Sequence, residues 1–79
     1  MTFRQAYKYA MKHSEVFRNH DAAVKKARKE KRQSACMAFS VSPNEAFYYG
    51  FDGCEMHKGK YLPETAAFLA KAGMLYIVL

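Results

Sequence analysis

Between Asp52 and His57 the chain sets two carboxylates, the Cys54 thiol and an imidazole within six residues, Glu55 being the second carboxylate. Those groups can do acid–base and thiol chemistry. A thiolate nucleophile needs a base within hydrogen-bond reach and surroundings that stabilise its charge. Cys54 and His57 also stand at C-x-x-H spacing, and Cys36 with His20 would complete four zinc ligands. Structural zinc sites usually present two close pairs, and only one is present here, so no metal ligand and no cofactor are expected. The four glycines, at 50, 53, 59 and 73, are scattered and form no phosphate-cradling loop. No oxyanion donor or third orienting group is legible. The expectation is a non-enzymatic protein with no catalytic residue.

A second set of residues is denser. Lys25-Lys26-Ala27-Arg28-Lys29-Glu30-Lys31-Arg32 puts six basic side chains into eight positions. Arg4, Lys8 and Lys12 recur at i, i+4, i+8, along one face of a helix. The net charge is +7 over residues 1–33 and −1 over 34–79. Like charges at i, i+4, such as Lys25/Lys29 and Arg28/Arg32, repel by a few tenths of a kcal/mol per pair. Asp21 can offset Lys25, but Glu30 cannot offset the rest. An anionic partner would relieve the strain. Arg4, Lys8, Lys12, Lys25, Lys26, Arg28, Lys29, Lys31 and Arg32 are therefore the candidate binding residues. The partner is expected to be nucleic acid or an acidic surface of a host protein complex. Six such side chains on phosphates predict a log–log salt slope of about −5.

Aromatic residues make up 15% of the chain. Tyr49-Gly50-Phe51 resembles the Tyr-Gly-Phe element of the RNA-recognition-motif strand signature, which implies base stacking on exposed sheet aromatics. Phe47-Tyr48 stands where Lys/Arg-Gly belongs, and the first strand of that fold is missing. The aromatics are accordingly expected to pack a hairpin beneath helices. Tyr48 points away from Phe47 and Tyr49 and is the candidate exposed aromatic.

The elements that must position these groups follow from periodicity. Thr2 and Gln5 form a capping box, and Phe3, Ala6, Tyr7, Ala10 and Met11 share one helical face, which predicts a helix over 3–13. Residues 14–20 read as a bend with Val16 and Phe17 as core anchors. Asp21 reads as the N-cap of a helix over 22–32 with a thin apolar stripe, Ala23, Val24 and Ala27. The period then changes to two. Residues 35–41 and 47–51 alternate around Ser42-Pro43-Asn44, a β-hairpin. Residues 54–61 fit either a short strand or a loop. Pro63, Glu64 and Gly73 frame a third helix, so apolar that it is expected to be well buried. The run Met74–Leu79 reads as a strand covered on both faces or central in a sheet; left unpaired, it would template a homodimer. The fold class is α+β: two N-terminal helices, a β-hairpin, a third helix and a C-terminal strand, forming a small antiparallel sheet packed by helices.

The chain has 79 residues, a formal charge of +6 and 25% charged residues, the balance of a soluble single domain over 1–79. It divides into a basic helical half (1–33) and a sheet-plus-helix half (34–79). No apolar run approaches the roughly 20 residues needed to span a bilayer, so no membrane partner is expected. Arg4, Lys8 and Lys12 interrupt any signal-peptide core, and two cysteines suit a reducing compartment. The expected location is cytoplasmic. In size, single-domain build and lopsided charge the chain resembles the small proteins with which bacteriophages disarm host systems, anti-CRISPR proteins among them. That resemblance implies an inhibitor that binds a host effector complex by protein contacts, in the host cytoplasm. Many such inhibitors are acidic DNA mimics. A basic one would occupy an acidic protein surface, or DNA itself.

Overall fold

The computed structural model describes residues 1–79. It orders the chain as α1 (Phe3–His13), α2 (Glu15–Glu30), β1 (Met37–Ser42), β2 (Glu45–Phe51), β3 (Met56–Tyr61), α3 (Pro63–Lys71) and β4 (Leu75–Val78). One four-stranded sheet has the order β3-β2-β1-β4. This is the expected α+β succession, with one correction: the sheet is mixed. β1–β2 and β2–β3 are antiparallel, but β4 lies parallel to β1, Met37 opposite Leu75 and Phe39 opposite Ile77. The reason is the crossover. α3 carries the chain over the sheet face and returns it to the end from which β3 started, and a strand entered that way runs parallel.

α1 begins on the capping box: the Gln5 amide donates to Thr2 Oγ1 (3.2 Å) and the Thr2 amide donates to Gln5 Oε1 (2.8 Å). The bend expected over 14–20 collapses to one residue. Ser14 ends α1, its N–H donating to the Ala10 carbonyl, and caps α2, its hydroxyl accepting from the Phe17 amide at 3.0 Å. α2 is therefore capped seven residues before the expected Asp21, and Asp21 sits inside the helix, buried. Of the two expected anchors Phe17 is fully buried, whereas Val16 faces solvent, 49% exposed. The earlier start also corrects the thin stripe. Ala23 is exposed, and Phe17, Asp21, Val24 and Ala27 make the inner face.

α2 ends at Glu30, so Lys31 and Arg32 lie just beyond it. Lys31 adopts the left-handed conformation (φ 57°, ψ 38°) and donates to the Arg28 carbonyl, while the Arg32 amide reaches the Ala27 carbonyl at 2.8 Å. This is the helix-ending motif that favours glycine at the Lys31 position. Lys31→Gly is expected to stabilise the fold by about 0.5–1 kcal/mol, read as a higher urea midpoint with unchanged slope. A lower midpoint would contradict it.

α1 and α2 cover one sheet face. Ala6, Ala10, Phe17, Val24 and Ala27 pack on Met37, Phe39, Phe47, Tyr49 and Phe51, with Phe3, Tyr7 and Met11 at the margin. The Phe17 and Phe39 rings lie 4.6 Å apart, centroid to centroid. α3 covers the opposite face through Ala66 on Ala38 and Ala46. Two expectations fail on this side. α3 is not well buried: Ala66 alone is inside, and Phe68 is 71% exposed. β4 is neither central nor covered on both faces: it is an edge strand, with Val78 73% exposed. The fully buried part of this contact is three alanines, with Tyr61, Met74 and Tyr76 packed at its margin, so the helix sits on a small patch and leaves Phe68 to solvent. Residues 56–61 form a strand, the other edge of the sheet.

Candidate anion-binding groove

All nine basic candidates are exposed, and α1 and α2, which carry all of them but Lys31 and Arg32, lie on the same side of the sheet. Lys25 alone has an acidic partner, its Nζ 3.1 Å from Asp21 Oδ2. The other eight make no ion pair. Arg18, outside the set, is occupied: its Nη1 donates to the Met11 carbonyl at 2.8 Å and secures the end of α1.

The structure distributes the nine unequally. Arg4 and Lys8 line a groove of about 440 Å³ between α1 and β3, together with Phe3, Tyr7, Tyr49, Met56 and Lys58. No acidic residue lines it. Lys26 and Arg32 line a separate depression at the end of α2 that also holds Glu30. Lys12, Lys25, Arg28, Lys29 and Lys31 line neither. Lys58 is the cation that sequence reasoning missed. It belongs to the half of the chain with negative net charge, and antiparallel pairing opposite Tyr49 brings it to the helical side. Its Nζ lies 5.9 Å from the Phe3 ring centroid, over the face, where the ring quadrupole attracts a cation. The available signal was the alternation of Lys58 with Lys60 in a possible strand.

Under the groove Asp21 organises the floor. Tyr7 and Tyr49 both donate their hydroxyl protons to its Oδ1, at 2.7 and 2.8 Å. Burial pulls the Asp21 carboxyl upward, but the hydrogen bonds from Tyr7, Tyr49 and Lys25 outweigh it and hold the group below the ordinary value. Burial and the bond to Asp21 push Tyr49 well above the usual phenol range. Both phenols thus stay protonated. His20, also on this side, donates from Nε2 to the Tyr49 carbonyl at 2.8 Å.

The four residues weighed as zinc ligands are not gathered. Asp52, Glu55 and His57 do bring their ligand atoms within 4.8 Å of one another, without Cys54. Asp52 accounts for the geometry: Oδ1 accepts from the Cys54 and Glu55 amides (2.7 and 2.8 Å), and Oδ2 lies 2.6 Å from His57 Nε2. The cluster ties the β2–β3 turn. On the α3 side, Cys36, Tyr48, Gly50, Asp52, His57 and Tyr61 share a second groove of about 290 Å³. Burial raises the Cys36 thiol, the opposite of what activates a nucleophile. Tyr48 is half-buried, its ring 4.5 Å from that of Tyr61, and Phe68 is the far more exposed aromatic. Tyr49 and Phe51 are buried beneath the helices and form no open stacking sheet.

The His57 bond, and behind it the Glu55 and Cys54 amides, hold Asp52 down to about 2. The same bond raises His57 above 6.5. A depressed carboxyl contributes stability above its ordinary 3.8 and loses it as pH falls through the folded value. A raised imidazole contributes below 6.5 and loses it as pH rises through its folded value. The turn is therefore held best between pH 3.8 and 6.5. NMR titration of His57 should show the elevated pKa, and Asp52→Asn should return it to the ordinary value. An ordinary pKa in the unaltered protein would contradict the pairing.

No protein-family model matches the chain, and neither the curated proteins nor the solved structures give a match. No helix is long and apolar enough to cross a membrane.

Proposed function

We propose that this chain is a non-enzymatic docking protein that lays its helical side on nucleic acid and blocks access to it. The observation that carries this reading is the charge left unanswered on α1, α2 and the two residues after it. Seven acidic residues are available in the chain, and only Asp21 meets any of the nine cations. A merely solubilising surface usually intersperses both signs. Phosphates would supply the missing partners, and the released counterions would supply the driving force. Such contacts position a protein without reading sequence.

Fluorescence anisotropy with a labelled random-sequence oligonucleotide tests this. Binding at about 50 mM salt with Kd in the micromolar range or tighter is expected. Lys26→Gln, Lys29→Gln, Lys31→Gln and Arg32→Gln together should weaken it at least tenfold, roughly the loss of two or more phosphate contacts. Equal affinity in the quadruple variant overturns the reading. Absence of oligonucleotide binding, with stoichiometric capture of an acidic nucleic-acid-processing complex, replaces it by the inhibitor reading.

The outer edge of β4 supports self-association as a second property. Leu75–Val78 contains no charge, and Leu75 and Val78 are exposed. The opposite edge, β3, carries His57, Lys58 and Lys60, the kind of charge that discourages strand addition. Sedimentation of the protein with and without Val78→Lys checks it: a dimer lost in the variant is expected, and a monomer at all concentrations contradicts it.

A further inference from the structure

The groove between α1 and β3 differs from the rest of the basic surface, because its floor is aromatic. Phe3, Tyr7 and Tyr49 lie there with the Met56 thioether, and Arg4, Lys8 and Lys58 stand around them. Phe3 and Met56 are half-buried at the margin of the core, each leaving part of its apolar surface at the groove. On Phe3 it is the flexible, exposed Lys58 that lies over the ring and would swing to a phosphate as a base enters. A phosphate alone would have no use for such a floor. An acidic protein side chain is no better matched, being small and lacking a flat apolar face. A ligand that joins a planar ring to a negative charge uses both parts, and its volume suits a groove in the ordinary range for small-ligand sites.

We propose that this groove receives one nucleotide of a single-stranded nucleic acid, with the base against Phe3 and Met56 and the flanking phosphates on Arg4, Lys8 and Lys58. The proposal rests on the nucleic-acid reading above and narrows it to single strands. In a duplex the base faces are stacked on one another and cannot enter; in a single strand they are open. A free nucleotide would satisfy the groove but not the remaining unpaired cations, Lys12, Lys26, Arg28, Lys29, Lys31 and Arg32, which call for a longer chain of phosphates. The floor also fixes what the site cannot do. Tyr7 and Tyr49 have both committed their hydroxyl protons to Asp21, and Phe3 and Met56 have no hydrogen-bonding proton to offer. Base edges are therefore not read by donors from the floor, and every base has a stacking face. The groove accepts any base.

The test compares oligo-dT, oligo-dA, a duplex of matched charge and inorganic polyphosphate on the full chain carrying 13C-methyl methionine. Both oligonucleotides should bind within about threefold of each other, since stacking is sequence-tolerant, and should shift the Met56 methyl resonance upfield by ring current. Polyphosphate should bind through charge and leave that methyl unmoved. Phe3→Leu keeps apolar bulk in the core. It should cost oligonucleotide affinity about tenfold, the scale of one lost stack, with polyphosphate affinity unchanged. A Met56 methyl that responds alike to polyphosphate, a Phe3→Leu loss shared by both ligands, or duplex binding equal to single-strand binding overturns the groove assignment while the electrostatic docking survives. Failure of all four polyanions to bind removes the docking reading itself, and this one with it.

Discussion

Asp21→Leu is expected to destabilise the fold by about 3 kcal/mol, a loss typical of stranding buried hydrogen-bonding groups. The residue is 3% exposed, and its Oδ1 holds two phenolic protons at 2.7 and 2.8 Å. Leucine fills a similar volume but leaves the Tyr49 hydroxyl, itself nearly buried, with no acceptor. Hydrogen bonds to a charged group each contribute about 1.5–3 kcal/mol. The Lys25 pair adds little, because the lysine side chain is 65% exposed and such pairs contribute about 0–1 kcal/mol. Asp21→Asn keeps an oxygen where Oδ1 stands and should cost only about 1 kcal/mol, the difference between a charged and a neutral acceptor. Adding Tyr49→Phe to Asp21→Leu should restore part of the loss, since the stranded donor is then gone. The pH dependence has a definite sign. Because the folded carboxyl lies below its ordinary 3.8, the contribution is present above that pH and disappears as pH falls through the folded value. Urea denaturation of the variants reads all of this. A leucine variant as stable as the unaltered protein would refute the arrangement.

The second large effect concerns binding. Arg4→Gln, Lys8→Gln and Lys58→Gln, combined, should reduce affinity for single-stranded nucleic acid by about 100–1,000-fold at low salt and flatten the log–log salt slope by about 2, as expected for three lost phosphate contacts on a single strand. The fold should tolerate the change. All three side chains are exposed and none makes an ion pair, and the Lys58–Phe3 contact is worth about 0.5–1 kcal/mol at an exposed position. An unchanged slope in a folded triple variant would place the contact elsewhere on the helices.

Local signals carried the architecture well. The capping box at Thr2, the five apolar residues of α1 and the alternation around residues 42–44 each specify a local geometry with few alternatives. Asp21 misled because a carboxylate before a run of alanines and lysines is equally a good N-cap and a good buried acceptor; only the distant Tyr49 decides. Ser14 carried its own capping signal, masked by the polar residues that follow. The parallel β4 and the exposed α3 were illegible for another reason. They depend on where the α3 crossover returns the chain and on how small a patch the far face of the sheet offers that helix, which no local periodicity encodes. The candidate site was half legible. Its charges on α1 and α2 could be counted in the sequence. The groove could not, because Lys58 and Met56 reach it only through β3 pairing with β2.

The salt dependence of binding tests most directly the proposal that the helical charge meets phosphates. Affinity for a random-sequence single strand, measured from about 50 to 200 mM monovalent salt, should fall along a log–log line of slope near −4 to −5, as expected when about six cations displace counterions. A slope near zero, or no binding at the lowest salt, would contradict it.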